Sequence, residues 1–311
     1  MIKCQNLTKR YGQLLAVDDL SFQVEPGEVL GFLGPNGAGK STTMRIIAGF
    51  QPATSGSVTV CGFDVDSQST AAKSRIGYLP EGAPSYPEMS PRSFLEFIAD
   101  IRGMEGEHRE TRLSKVYSLL HLEPVLEQTI DTLSKGYKRR VGLAQAILHD
   151  PDVLILDEPT DGLDPNQKHE VRELIHQMSE NKIIVISTHL LEEVDALCNR
   201  AIIIAHGKIL ADDTPKRLEA RSRFSNAVSV RLTDPSQLEV VRSGIEALAE
   251  VGEIEVDVHA DRLTAFPANG QLPLRPITEL AQEKGWELAE LHLESGRLDE
   301  VFRTITGGAS A

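Results

Sequence analysis

The stretch Gly34-Pro35-Asn36-Gly37-Ala38-Gly39-Lys40-Ser41 constrains this chain more than any other. It has the spacing G-x-x-x-x-G-K-[ST] of a phosphate-binding loop. The apolar run Val29 to Leu33 before it reads as a buried strand, and Thr42 to Ala48 after it reads as a helix. Strand, loop and helix in that order are the context this spacing requires. Glycines let successive backbone N–H groups turn inward into an anion-binding nest. The helix N-terminus adds unsatisfied donors and the positive end of its dipole. In such a loop Lys40 reaches the β- and γ-phosphates and the Ser41 hydroxyl ligates Mg²⁺. A dinucleotide-binding turn is excluded, because its fingerprint is G-x-G-x-x-G and lacks the lysine.

Beyond the loop, buried strands alternate with helices. Val17 to Val24 alternates apolar and polar residues, as a half-buried strand does. Ile76 to Leu79 is a short strand stopped by Pro80. Val153 to Leu156 is a continuous apolar run, and Lys182 to Ser187 and Ala201 to Ala205 are further apolar-centred strands of the kind buried in a parallel sheet. Strand–helix–strand order predicts an α/β core with a mostly parallel sheet. Between Ser90 and Leu133 the period changes to helical: Phe94, Leu95, Phe97, Ile98 and Ile101 form one face, and Val116, Leu119, Leu120 and Leu122 another. A helical subdomain over about 90–148 is expected. After Arg217 the rhythm changes again, and residues 218–311 read as a small α+β domain with strands at 227–232, 254–258, 262–266 and 287–293 and helices at 237–249 and 274–284.

The strand ends carry the chemistry. Asp157 and Glu158 close a buried strand. A carboxylate there holds Mg²⁺, and a second beside it orients and deprotonates a water aimed at a γ-phosphate. His189 follows another buried strand. Parallel strands bring their carboxyl ends to one edge, so His189 reaches the same phosphate.

These residues resemble the ATP-binding subunit of ABC (ATP-binding cassette) transporters over 1–217. Walker A is Gly34 to Ser41, the signature motif is Leu133-Ser134-Lys135-Gly136-Tyr137, and Walker B is Val153 to Asp157. The resemblance makes Glu158 the catalytic base, Lys40 a catalytic cation and His189 the switch histidine. It puts ATP on Gly34 through Thr42, Tyr11 on the adenine, and Mg²⁺ on Ser41 and Asp157. It also implies a head-to-tail pair of cassettes, here a homodimer, with Ser134 and Gly136 of one chain on the phosphates held by the other. Two motifs depart from the family. Glu81 stands where Gln usually contacts Mg²⁺ and the attacking water; a carboxylate there ligates cations but adds negative charge. Lys135 and Tyr137 replace a glycine and the glutamine of the usual signature Leu-Ser-Gly-Gly-Gln.

The tail Leu298-Asp299-Glu300-Val301-Phe302 resembles the ending of ABC-2 exporter cassettes. That group works with separate transmembrane permease subunits. The net charge of −14, from 32 basic and 46 acidic residues, argues against nucleic acid as a partner. Nothing approaches the ~20 apolar residues of a bilayer span, and Met1 to Gln5 carries no apolar signal region. The expected protein is cytoplasmic and peripheral on the inner face of the cell membrane through its permease. Three scattered cysteines read as reduced thiols. Two alternatives stand beside the exporter: a soluble ATPase acting on a ribosome or DNA, and a regulatory cassette that binds ATP without turnover.

Overall fold

The structure is a computed structural model that describes residues 1–83, 85–257, 261–268 and 270–307. The chain divides into two compact units, Met1–Thr214 and Pro215–Ala311.

Among its described residues the first unit holds two sheets. Strands β1 (Ile2–Tyr11), β2 (Leu14–Val24), β4 (Ser55–Val60) and β5 (Phe63–Asp64) form an antiparallel sheet, whereas β3 (Val29–Leu33) belongs to the other sheet. This antiparallel sheet is additional to the mostly parallel one that the sequence predicts. Its reason is visible in the alternation Val17, Leu20, Phe22, Val24, all buried, with polar residues between: one face is apolar and one is wet. That apolar face packs on β3, with Phe22 edge-on to Phe32 at 5.2 Å. Met44 and Ile47 of helix α1 (Lys40–Ile47) join the same core.

The second sheet has the order β10-β9-β3-β8-β7-β6. Its strands are β6 (Ile76–Leu79), β7 (Val153–Asp157), β8 (Ile183–Thr188), β9 (Arg200–Ala205) and β10 (Lys208–Asp213), with α2 (Ser69–Ser74) leading into β6. All neighbours are parallel except β10, which runs antiparallel on the edge. Every residue of β3, β6, β7 and β8 is buried, because both faces are covered.

Helices α3 (Pro91–Ile101) and α4 (Gly106–Leu119) precede α5 (Lys135–Ile147). Ser90 caps α3 through the Ser93 N–H, with Pro91 in the first turn. The apolar face expected on α3 is split. Phe94 and Leu95 are buried, but Phe97 is 38% and Ile101 64% exposed. Tyr86 lies edge-on to Phe97, at 5.6 Å between ring centres. Helix α6 (Pro165–Ser179) is capped by Asp164, and α7 (Leu191–Leu197) follows β8.

The second unit begins with α8 (Pro215–Glu219). It continues as β11 (Val228–Leu232), α9 (Leu238–Glu246), β12 (Val251–Asp257), β13 (Arg262–Pro267), α10 (Leu274–Lys284) and β14 (Leu288–Leu293), and closes with α11 (Leu298–Gly307). The sheet order β12-β13-β11-β14, all antiparallel, is the βαββαβ arrangement. Val228, Val230, Leu263 and Ala265 turn to one face and meet Val241, Ile245 and Ile277 of the two helices. Val258, expected to end a strand, lies outside the described residues.

Candidate functional site

Register explains why the site assembles. Leu33, the last residue of β3, pairs with Thr188, and Asp157 pairs with Ser187. The loop after β3, the Asp157–Glu158 pair and His189 therefore leave the sheet at one edge. Glu81 follows β6 at that edge too. A cleft of about 380 Å³ lies there, lined by Asn36, Gly37, Ala38, Gly39, Lys40, Ser41 and Thr42 of the loop and helix. Tyr11, Leu14, Ala16, Glu81, Glu158 and His189 complete its lining. Gly34 and Pro35 do not line it; their carbonyls accept from Lys40. The Tyr11 ring is half exposed, and its hydroxyl donates to Gln51 Oε1 at 2.7 Å.

The loop shape needs its glycines. Gly39 has φ +105°, and a Cβ there would meet Ala16 O at 2.4 Å. Because Gly39 takes this left-handed turn, α1 starts at Lys40, two residues before the sequence pattern suggests. No side chain caps its first turn, and no acidic residue lies in it, so its N–H groups remain available to an anion. Lys40 is buried and donates to Gly34 O at 2.6 Å and Pro35 O at 3.1 Å. Burial lowers its pKa, against the opposing pull of Glu158, Asp157 and Glu81.

Asp157 is buried. Ser41 Oγ donates to its Oδ1 at 3.3 Å, and so does the Ser187 hydroxyl. Its Oδ2 has no hydrogen-bond partner among the described residues. A lone buried carboxylate oxygen beside a serine hydroxyl is the hard oxygen donor set that suits Mg²⁺. Glu158 has φ +51°, a left-handed value that costs a non-glycine residue about 1–3 kcal/mol. Its N–H is held by Ser187 O at 3.1 Å and Ser187 Oγ at 3.2 Å. His189 Nδ1 is 3.0 Å from Glu158 Oε1, with side-chain exposures of 48% and 17%.

Ser134 and Gly136 lie outside this cleft. Ser134 caps α5, its Oγ accepting from the Tyr137 N–H at 3.3 Å. Gly136 packs so closely that a Cβ would meet the Gln167 side chain at 2.3 Å. Lys135 is exposed in the first turn of α5, with no left-handed backbone to sustain.

Two buried groups escape a motif-based search. Arg139 of α5 donates to the carbonyls of Asp157, Glu158 and Pro159. Its signal was a cation on the inward stripe Gly136, Arg139, Leu143, Ala146. Glu193 of α7 accepts from the hydroxyls of Thr160 and Thr188, clasping the segment after Glu158 to the one before His189. It is one of two adjacent glutamates, and no sequence signal separates it from its exposed neighbour Glu192.

Comparisons with known proteins agree with this geometry. A family model described as ABC transporter matches residues 17–161. The chain is 32% identical over 308 residues to the linearmycin resistance ATP-binding protein LnrL of Bacillus subtilis, covering 99% of this chain and 98% of that protein. It is 36% identical over 308 residues to the Nod factor export ATP-binding protein I of Burkholderia pseudomallei, covering 98% and 97%. Among solved structures it is similar to an ATP-binding subunit of an ABC transporter, with a TM-score of 0.66 and 28% identity over 71% of this chain and 92% of that one. A bacterial ABC transporter cassette solved as a dimer gives a TM-score of 0.65 and 25% identity over 69% of this chain and 99% of that one. Given similarity at this level over the whole length of its relatives, the chain belongs to the ABC transporter family, as one of its ATP-binding proteins.

Proposed function

We propose that this chain is the ATP-hydrolysing subunit of an ABC-2-type exporter, working as a pair of cassettes on separate transmembrane subunits. The observation that carries the reading is the Glu158–His189 pair, 3.0 Å apart, at the strand edge where the phosphate loop presents Lys40. ATP lies along the loop from Gly34 to Thr42, with its base towards Tyr11. Lys40 and the loop N–H groups hold the γ-phosphate and stabilise the charge that develops on it. Glu158 accepts the proton of the attacking water, and His189 orients Glu158 and senses the phosphate. Ser41 and Asp157 would hold Mg²⁺, with Glu81 at the cleft wall as a further ligand. The ion would supply positive charge on the phosphate oxygens.

The position of Ser134 and Gly136 outside their own cleft supports the paired arrangement. The N-terminus of α5 presents donors and a positive dipole end that a second chain's nucleotide can use. ATP then binds the closed pair better than the open one, and hydrolysis removes that preference. Support for the membrane partner comes from the relatives' names, which include an export protein and a resistance protein. The exposed apolar side chains Tyr86, Phe97 and Ile101 add a surface for it. No helix among the described residues is long and apolar enough to cross a membrane. On this reading the chemistry belongs to the cassette, residues 1–217, and residues 218–311 form an accessory domain.

The experiment is an affinity purification of tagged Glu158→Gln protein with ATP from detergent-solubilised membranes. Co-purification of a polytopic membrane protein without its own cassette is the expected result. Recovery of ribosomes or DNA-bound proteins instead would overturn the exporter reading.

A further inference from the structure

Arg139 is a costly residue to place at this edge. Its guanidinium is buried, and burial works against its charge. Among the described residues, the hydrogen bonds it donates all go to main-chain carbonyls: Asp157 at 2.6 Å, Pro159 at 3.1 Å, Pro80 at 3.5 Å, and Glu158. These carbonyls belong to the ends of two neighbouring strands, next to Glu81 on one and around Glu158 on the other. The carboxylates of Asp161, Asp157, Glu158 and Glu81 act on it at longer range.

We propose that Arg139 is a positioning residue that locks the left-handed backbone of Glu158 and couples it to the signature end of α5, so that each nucleotide site senses the other. This rests on the paired-cassette reading above. The geometry runs in three steps. Glu158 sits in a conformation that a non-glycine residue leaves when it is free to do so. Its N–H is fixed by Ser187, and the carbonyls of residues 157, 158 and 159 are fixed by Arg139. Arg139 lies three residues after Gly136 on one unbroken helix, about 4.5 Å along its axis. A shift of the α5 N-terminus towards a phosphate therefore carries the guanidinium with it.

In a head-to-tail pair, Ser134 and Gly136 of one chain meet the nucleotide held by its partner. Arg139 of that same chain holds the base of its own site. Occupancy of one site is thus transmitted to Glu158 at the other through one turn of helix. The role needs the planar fork of a guanidinium, since a lysine ammonium is a point charge on a flexible stem and does not span three successive carbonyls.

The test compares Arg139→Lys and Arg139→Met with the unaltered chain. It measures kcat, KM and the Hill coefficient for MgATP, together with thermal unfolding. Arg139→Lys should keep its fold and its KM, lose about 10–10²-fold in kcat, as for a catalytic group misplaced by about 1 Å, and bring the Hill coefficient towards that of independent sites. Unchanged kcat and cooperativity in Arg139→Lys would overturn the proposal. So would a pattern in which Arg139→Met only loses stability and Arg139→Lys restores stability and turnover together. Should the unaltered chain itself fail to hydrolyse ATP, the functional reading falls and this inference with it; turnover that Arg139→Lys leaves intact sinks the inference alone.

Discussion

The two units of the molecule handle polar groups in opposite ways. In the first, Lys40, Arg139, Asp157, Thr160, Ser187, Thr188 and Glu193 are all buried, and all lie at or next to the carboxyl edge of the six-stranded sheet. In the second, the buried polar residues among those described are Ser222 and Ser229, and ion pairs such as Arg231–Glu290 at 2.6 Å stand at the surface. Burying charge is expensive unless it is matched, so it persists where chemistry requires it. The second unit is an ordinary βαββαβ layer whose stability rests on its apolar core. The contrast teaches where each unit is vulnerable: the first through individual polar atoms, the second through packed volume.

The largest expected effect breaks the first unit's chemistry without its fold. Glu158→Gln should bind ATP, lower phosphate release by about 10²–10⁴-fold, and elute as an ATP-stabilised dimer in gel filtration. Near-normal ATPase would remove Glu158 from the role of base. Next comes the second unit's core. Ile277 is fully buried, and Ile277→Ala should cost about 2–5 kcal/mol of that unit's stability in urea unfolding. ATP binding by the first unit should be unchanged, and a parallel loss of ATP affinity would show that the contrast is misdrawn. Glu81→Gln should keep or raise the ATPase rate, because it removes a negative charge from a cleft that takes phosphates. A loss of activity there would show that the carboxylate has a role of its own. The smallest effect belongs to the second unit's surface. Arg231 and Arg262 face each other across β11 and β13, and Glu290 contacts both. Glu290→Gln should change stability by no more than about 1 kcal/mol, in a salt-sensitive way. A larger, salt-insensitive loss in urea unfolding would mean that this face is less open to water than its exposure indicates.

The parts legible in the sequence share one physical property: they depend on neighbours along the chain. The strands at Val29–Leu33, Ile76–Leu79 and Val153–Asp157 stand out as short apolar runs bounded by turn residues. The α6 start shows in Asp164-Pro165, and the α5 cap in Ser134. Short elements without a full period were not legible. Helices α2 and α7 are six and seven residues long, and β10 is an edge strand with mixed composition. Periodicity puts Phe94, Leu95, Phe97, Ile98 and Ile101 on one apolar face of α3 without telling which are covered: Phe94 and Leu95 are buried, whereas Phe97 and Ile101 stay exposed.

At the site, spacing alone brought Lys40, Ser41, Asp157, Glu158 and His189 into consideration, since each follows a buried strand or sits in a motif of fixed length. Sequence also determined the α/β class, because buried parallel strands require continuous apolar runs. Only the tertiary structure decided the rest. Register put Leu33 opposite Thr188 and Asp157 opposite Ser187, which is what makes separate segments one cleft. The packing of α5 placed the Arg139 guanidinium, nearly twenty residues away in the chain, on the carbonyls around Glu158. Main-chain carbonyls are the same in every residue and leave no trace in a sequence, so a side chain that recognises them becomes visible only when the backbone is folded beneath it.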